Sequence, residues 1–527
     1  MNYADLFRVT LPETALEIAA LLVLVVDLGF LRRASLKVRT AVAAVLGVTG
    51  CGVAIWAVFQ PGPNGLSAIN SSDLLLATGG YTAAAQAGIL VLTALTLLLL
   101  VDSDFTTHVG EFVAVVLMSA TGGLLIAAAQ DLLVIFIGLE LLSLGLYILT
   151  AYAKSSAKSA EAAMKYYLFG GMSAAFLLFG FSYFYGLTGS TNLLEIRSAI
   201  VRSGPTPLFY VAWALVIAGL GFKIAAVPFH LWAPDTYEGA PAPASAFIAS
   251  VSKVASFALL LTIFGQDVMI RVGIHVSENE AIHLLSGYSA SWTHVIEVML
   301  LVAAASMVVG NLAALAQTSV RRLLAYSAIA HAGYILLGVC PLPHFNVPPG
   351  TELQVVGIEA LAHAFDYQHA VLYYILTYGL TTIGAFGVVG VVERATGSDK
   401  LDAFLGLHKR NPLLAAVLLI LFLSLAGIPP LVGFWAKFNL FAAVLGVSAG
   451  PVPFALVALA IALSAVSLYY YLQVLKRAYV MKPVDDSPIR VHPVTLLVLL
   501  AIAAAVVVLG IFPALLQNWI SGFYLIN

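Results

Sequence analysis

The chain has 527 residues, of which 61% are hydrophobic and 9% charged, with a formal net charge of −2. Soluble domains carry about a quarter charged residues and cannot hide this much apolar surface, so a water-soluble fold is excluded, and there is no basic face for nucleic acid. Apolar runs of about twenty residues predict α-helices crossing a bilayer, whereas a β-barrel would alternate apolar and polar positions.

Fourteen spans are expected, at 11–31, 40–59, 79–101, 111–129, 131–152, 158–187, 207–233, 242–266, 293–316, 319–340, 367–392, 412–446, 452–480 and 492–524. The first run follows an acidic start and leads into a basic loop, which reads as a retained helix rather than a cleaved signal. Only "AAAQD" divides the fourth span from the fifth. Cys51 and Cys340 lie in separate apolar runs with no metal-ligand spacing, and read as small core residues. With both termini placed outside, the inner loops hold sixteen Lys and Arg, and the outer side holds Arg8, Arg197, Arg202 and Arg271. That asymmetry follows the positive-inside rule. No role is assigned to the outer loops 267–292 and 341–366.

Four lysines remain, all inside predicted spans: Lys165, Lys223, Lys253 and Lys437. A lysine at the bilayer centre costs about 2.5–3.5 kcal/mol on insertion scales, so each calls for a partner or for water. Lys165 is nearer a span end, where its long stem would let the ammonium reach the surface. Glu140, in "FIGLELLSLGLY", lies mid-span and is the expected partner of Lys223; brought together they form a charged or a neutral pair, one proton apart.

Pro228 breaks the seventh span just after Lys223. "LSLAGIPPLVGFWAKF" repeats the device in the twelfth, with Gly427, Pro429, Pro430 and Gly433 before Lys437. Two interrupted spans five helices apart predict a pair of inverted repeats, because five is odd, and that is an ion-transporter architecture. His230 follows the first break, His331 lies in "SAIAHAGY", and His363 and His369 flank the start of the eleventh span, giving groups that titrate near neutral pH. No phosphate-binding loop, dinucleotide fingerprint or CxxC cluster is present, so energy must come from an ion gradient or a partner.

The fold expected is therefore an all-α polytopic membrane protein of about fourteen helices with two inverted five-helix repeats and breaks in the seventh and twelfth. Residues 1–110 form three leading helices, 111–266 and 293–480 the two repeats, and 492–527 a final helix.

"KIAAVPFHLWAPDTYEGAPAPASAFIASVSK", with "GLELLSLGLY", "KYYLFGG", "RRLLAYSAIAHAGY" and "GIPPLVGFWAKF", resembles the antiporter-like membrane subunits of respiratory complex I over nearly the whole chain. Within that family the resemblance is closest to the N-type subunits of bacterial NADH–quinone oxidoreductase. Lysine in the twelfth span argues against the M type, and the lack of a long amphipathic C-terminal helix argues against the L type. The resemblance implies proton translocation in a bacterial inner membrane. Glu140 would be a control carboxylate, Lys223 its partner and Lys165 their neighbour; Lys253 would be the central relay, His331 a connector and Lys437 the exit residue. It also implies M-like and K-like neighbours, and a peripheral arm holding FMN, iron–sulfur clusters, NADH and quinone, with no cofactor or metal in this chain. Other readings are a Na⁺/H⁺ antiporter subunit, the cyanobacterial and plastid counterpart of the complex, and a structural spacer.

Overall fold

The computed structural model describes residues 7–60, 75–264, 278–340, 353–447, 450–483 and 485–525, and among these the chain is almost entirely helical. The N-terminal part comprises α1 (Leu11–Val25, continued by a π-turn over Val26–Phe30), α2 (Leu36–Val58) and α3 (Gly80–Leu99). Next come α4 (Val109–Ala128), α5 (Leu132–Thr150), α6 (Ala157–Thr188), the short amphipathic α7 (Leu193–Ser203), α8 (Pro207–Lys223), α9 (Trp232–Gly239) and α10 (Ala242–Phe264). The remainder is α11 (Glu278–Leu315), α12 (Val320–Val339), α13 (Leu353–Thr396), α14 (Leu407–Arg410), α15 (Pro412–Ala426), α16 (Val432–Val447), α17 (Pro451–Tyr479), α18 (Pro493–Ile511) and α19 (Ala514–Leu525).

Eleven helices among the described residues are long and apolar enough to cross a membrane, and three shorter apolar ones include α8 and α15. The starts obey local chemistry. Asp131 accepts the Leu133 N–H at 2.8 Å, and Asn411 accepts that of Leu414 at 3.0 Å. Thr206 accepts the Phe209 N–H ahead of α8, whose first residue, Pro207, has no N–H to leave unpaired.

The seventh and twelfth predicted spans are each two helices, α8 with α9 and α15 with α16. The last span is also divided, at Pro513, where one straight helix was expected; the ring cannot continue the backbone ladder. Where described, the expected loops 267–292 and 341–366 are helical, because α11 begins at Glu278 and α13 at Leu353. Their other residues, Arg271 among them, lie outside the described residues, as does the side chain of His363. Cys51 and Cys340 are unoxidised and buried.

α10 is the axis of the bundle, since every residue from Pro243 to Phe264 is buried. It packs on α3, α4 and α13. A lysine placed at its midpoint is walled in by protein on all sides and cannot reach the surface along its stem.

Candidate functional site

Proline arithmetic locates the backbone groups that need help. In an α-helix the carbonyl of residue i accepts the N–H of residue i+4, and proline has none. Pro228 thus leaves the Ile224 carbonyl without a helical donor, and Pro429 and Pro430 do the same for Leu425 and Ala426. An amide group left unpaired in an apolar interior costs roughly 2–7 kcal/mol.

Lysines supply the missing hydrogens. Lys253 Nζ, from the middle of α10, donates to the Ile224 carbonyl at 2.9 Å and to the Ala328 carbonyl of α12 at 3.1 Å. Lys437 Nζ donates to Leu425 at 3.2 Å and Ala426 at 3.0 Å, and to Ser464 Oγ of α17 at 2.7 Å. Lys223, the last residue of α8, donates to Ser143 Oγ of α5. These three lysines are 7% exposed or less. Among the described residues none has a carboxylate within ion-pair distance, for the lysine ion pairs found are those of Lys158 and Lys165.

The rest of each break is closed by local chemistry. At the first, the N–H groups of Ile224, Ala225 and Ala226 turn back onto α8, and Trp232 Nε1 donates to the Phe222 carbonyl at 2.9 Å. Val227 N–H, which would otherwise point into the core, meets Ser306 Oγ of α11 at 2.9 Å. At the second, Gly427 adopts φ +87°, a left-handed helix end suited to glycine, and the Gly433 N–H meets Ser424 Oγ at 3.1 Å. Both breaks contain a cis prolyl bond, Val227–Pro228 and Pro429–Pro430.

His331, on α12, lies beside the helix turn whose Ala328 carbonyl accepts from Lys253. Its Nδ1 lies 2.9 Å from Tyr374 Oη of α13. Ala328, which accepts from Lys253, is three residues before His331 on α12. Lys253 therefore bonds to α12 within one turn of His331, and its other acceptor, Ile224, is the residue after Lys223.

Three expected placements differ. Glu140 and Lys223 do not form a direct ion pair: Ser143, one turn along the same face of α5, takes the ammonium, while Glu140 is half-buried and has no ion pair among the described residues. Lys165 reaches the surface, as its place near a span end allows, and bonds to carboxylates other than Glu140. Its side chain is 41% exposed and lies 2.7 Å from Glu161 and 2.8 Å from Asp235. His230 is buried in the first break, but no hydrogen bond joins it to the lysines, and its Nδ1 has no partner among the described residues. His369 Nδ1 lies 3.5 Å from Ser521 Oγ.

Lys165 belongs instead to a network that the sequence reading missed. Asp235 lies 2.6 Å from Arg322, Arg322 3.1 Å from Glu238, and Glu238 2.6 Å from Lys158, which ties α6 and α9 to α12. Arg321 holds Glu393 of α13 at 2.5 Å. A cleft of about 300 Å³ opens beside these groups, with Lys158, Glu238, Arg321 and Glu393 in its wall, and reaches Ala246, two turns before Lys253 on α10. The clue was the "PDTYEG" carboxylates, too close to a helix break to be mere loop polarity. Ser143, Ser464 and Tyr374 carry no such signal. Among the described residues there is no cluster of His, Cys, Asp or Glu fit to hold a metal.

Long apolar helices, two of them broken at proline with lysines filling the exposed carbonyls, define an antiporter-like membrane protein. Comparison with known proteins narrows this. The family profile "NADH:quinone oxidoreductase/Mrp antiporter, TM" matches residues 129–342 and 354–464. "NADH-quinone oxidoreductase subunit N 2" of Acidobacterium capsulatum is 46% identical over 99% of both chains. A chain of respiratory complex I from Thermus thermophilus superposes with a TM-score of 0.72 at 30% identity, covering 96% of this chain and 98% of that one. A chain of the Mrp complex from Dietzia sp. shares the fold, with a TM-score of 0.72 at 20% identity over 99% and 97% of the two chains. The chain belongs to the NADH:quinone oxidoreductase/Mrp antiporter membrane-subunit family, and within it to the subunit N kind.

Proposed function

We propose that this chain is the N-type proton-translocating membrane subunit of an NADH–quinone oxidoreductase, in which quinone reduction in partner subunits drives protons along Lys223, Lys253, His331 and Lys437. The observation that carries the reading is the coordination of the buried lysines. A static structural cation is normally matched by a buried carboxylate. These three are held by carbonyls and hydroxyls, acceptors that leave each ammonium free to give up its proton without stranding an opposite charge. Glu140, half-buried a turn from Ser143, acts on Lys223 through space, and Lys165 serves the Asp235 network. His230 makes no hydrogen bond to these lysines among the described residues and stands as a secondary candidate.

The energies are commensurate. Moving one charge against 100 mV costs about 2.3 kcal/mol, and a change of about two pH units in the proton affinity of a buried lysine is worth about 2.7 kcal/mol. The chain works as two inverted halves, 111–266 and 293–480, flanked by 1–110 and 492–527. Mirrored backbone bridges support this division: Asp131 with Asn192 at the start of α5, and Ser319 with Lys400 at the start of α12. Both termini face the outside of a bacterial inner membrane, M-like and K-like subunits adjoin the chain, and FMN, iron–sulfur clusters, NADH and quinone reside in partners. A Na⁺/H⁺ antiporter role is less well supported, because the Mrp similarity is one of fold while the full-length relative at 46% identity is a subunit N.

Lys253→Met in the assembled complex tests the reading. Proton pumping per electron should collapse while the complex still assembles; an unchanged proton-to-electron ratio would overturn the relay role.

A further inference from the structure

The ammonium of Lys253 sits between two carbonyls from different parts of the fold. Ile224 belongs to the break after α8, and Ala328 to α12. A lysine held this way depends on the spacing of the two oxygens, so whatever fixes that spacing governs how firmly the proton is held. α12 is packed along α11 as a hairpin. The α11 member of this hairpin sends Ser306 to the break, a wholly buried side chain that donates to the Val302 carbonyl at 2.7 Å and accepts the Val227 N–H at 2.9 Å. Val227 is three residues beyond Ile224, and between them Ala225 adopts φ +57°, a left-handed conformation that L-residues avoid. Such a turn persists where its surroundings over-determine it. Ser306 is one of those surroundings.

We infer that Ser306 is a positioning residue for Lys253: its hydroxyl clamps the first helix break to the α11–α12 hairpin and so sets the separation of the two carbonyls that grip the ammonium. The inference rests on the reading of Lys253 as a relay residue. Ser306 itself carries no proton along the line, since its hydrogen is committed to Val302.

The test uses the oxidoreductase assembled in its own membrane, with proton-to-electron ratio, electron-transfer rate and assembly on native gels measured together. Ser306→Ala should assemble and transfer electrons but pump roughly five- to tenfold less, the factor that a lost buried hydrogen bond of about 1 to 1.4 kcal/mol corresponds to. Ser306→Thr keeps the hydroxyl and should pump like the parent. Pumping at the parent ratio in Ser306→Ala, or a Ser306→Thr variant as poor as Ser306→Ala, overturns the inference; the latter would mean that side-chain shape matters and the hydroxyl does not. Should Ser306→Ala fail to assemble, Ser306→Cys, of similar size but a weak acceptor, takes its place, with reduced pumping expected and full pumping refuting. Lys253→Met run alongside separates the two ideas. If it pumps normally the relay reading falls; if it is dead while Ser306→Ala is normal, only the role of Ser306 falls.

Discussion

The two helix breaks solve one problem in different ways. At the second, everything needed comes almost from the break itself: Lys437 turns back onto Leu425 and Ala426, Ser424 takes the Gly433 N–H, and Gly427 ends α15 without strain. At the first, the parts come from elsewhere. Lys253 reaches in from α10, Ser306 from α11, and the left-handed position is an alanine. The lysine that belongs to the first broken helix, Lys223, faces away to Ser143. A self-contained break tolerates change around it, whereas a stitched one transmits it. The first break is therefore the one whose hydrogen bonds are shared with helices distant in the chain.

The largest effect expected of this contrast comes from Lys437→Met. It leaves the Leu425 carbonyl without the lysine and Ala426 with only Ser464 Oγ at 3.4 Å, and it removes hydrogen bonds from a charged donor, each worth about 1.5–3 kcal/mol, so pumping should fall by at least about tenfold. The complex should still assemble; loss of assembly would show that the second break is not self-contained.

A middle-sized effect separates the prolines. Pro228→Ala gives Ile224 a backbone donor that competes with Lys253, and pumping should drop several-fold. Pro430→Ala gives a backbone donor to Ala426 alone, leaving Leu425 still orphaned by Pro429 and Lys437 still held. Its pumping should stay closer to the parent, and equal losses in the two variants would erase the distinction.

The smallest effect is reciprocal. Ala225→Gly relieves a left-handed cost of about 1–2 kcal/mol against an entropic penalty of about 0.5–1 kcal/mol, so the thermal midpoint should hold or rise slightly. Gly427→Ala imposes that cost, and its Cβ would lie 3.0 Å from Lys437 Cδ. A midpoint that falls for the first change and not for the second would invert the comparison.

Much of this was legible from composition and punctuation. Apolar runs of bilayer length gave the spans, and proline gave the breaks, because both signals act within one segment. The prolines even name the orphaned carbonyls, four residues before each ring, although nothing local says which lysine will answer. Lys253 reaches Ile224 across 29 residues and Ser306 reaches Val227 across 79, separations set only by packing. Lys165 is a similar case: its place near a span end pointed to the surface, but nothing local names its partner Asp235, 70 residues away, which draws it into an ion-pair network. Ser143 intercepts Lys223 through a hydroxyl that looks, in sequence, like any small helix residue.

Both native thiols are sealed in packed helices, Cys51 at 0% and Cys340 at 1% exposure. Maleimide reagents added to intact vesicles have nothing natural to react with, from water or from lipid. A single cysteine introduced at a loop would therefore be the sole labelled site in this subunit, and its reactivity from one compartment or the other reads out topology without first stripping the protein of its own sulfur.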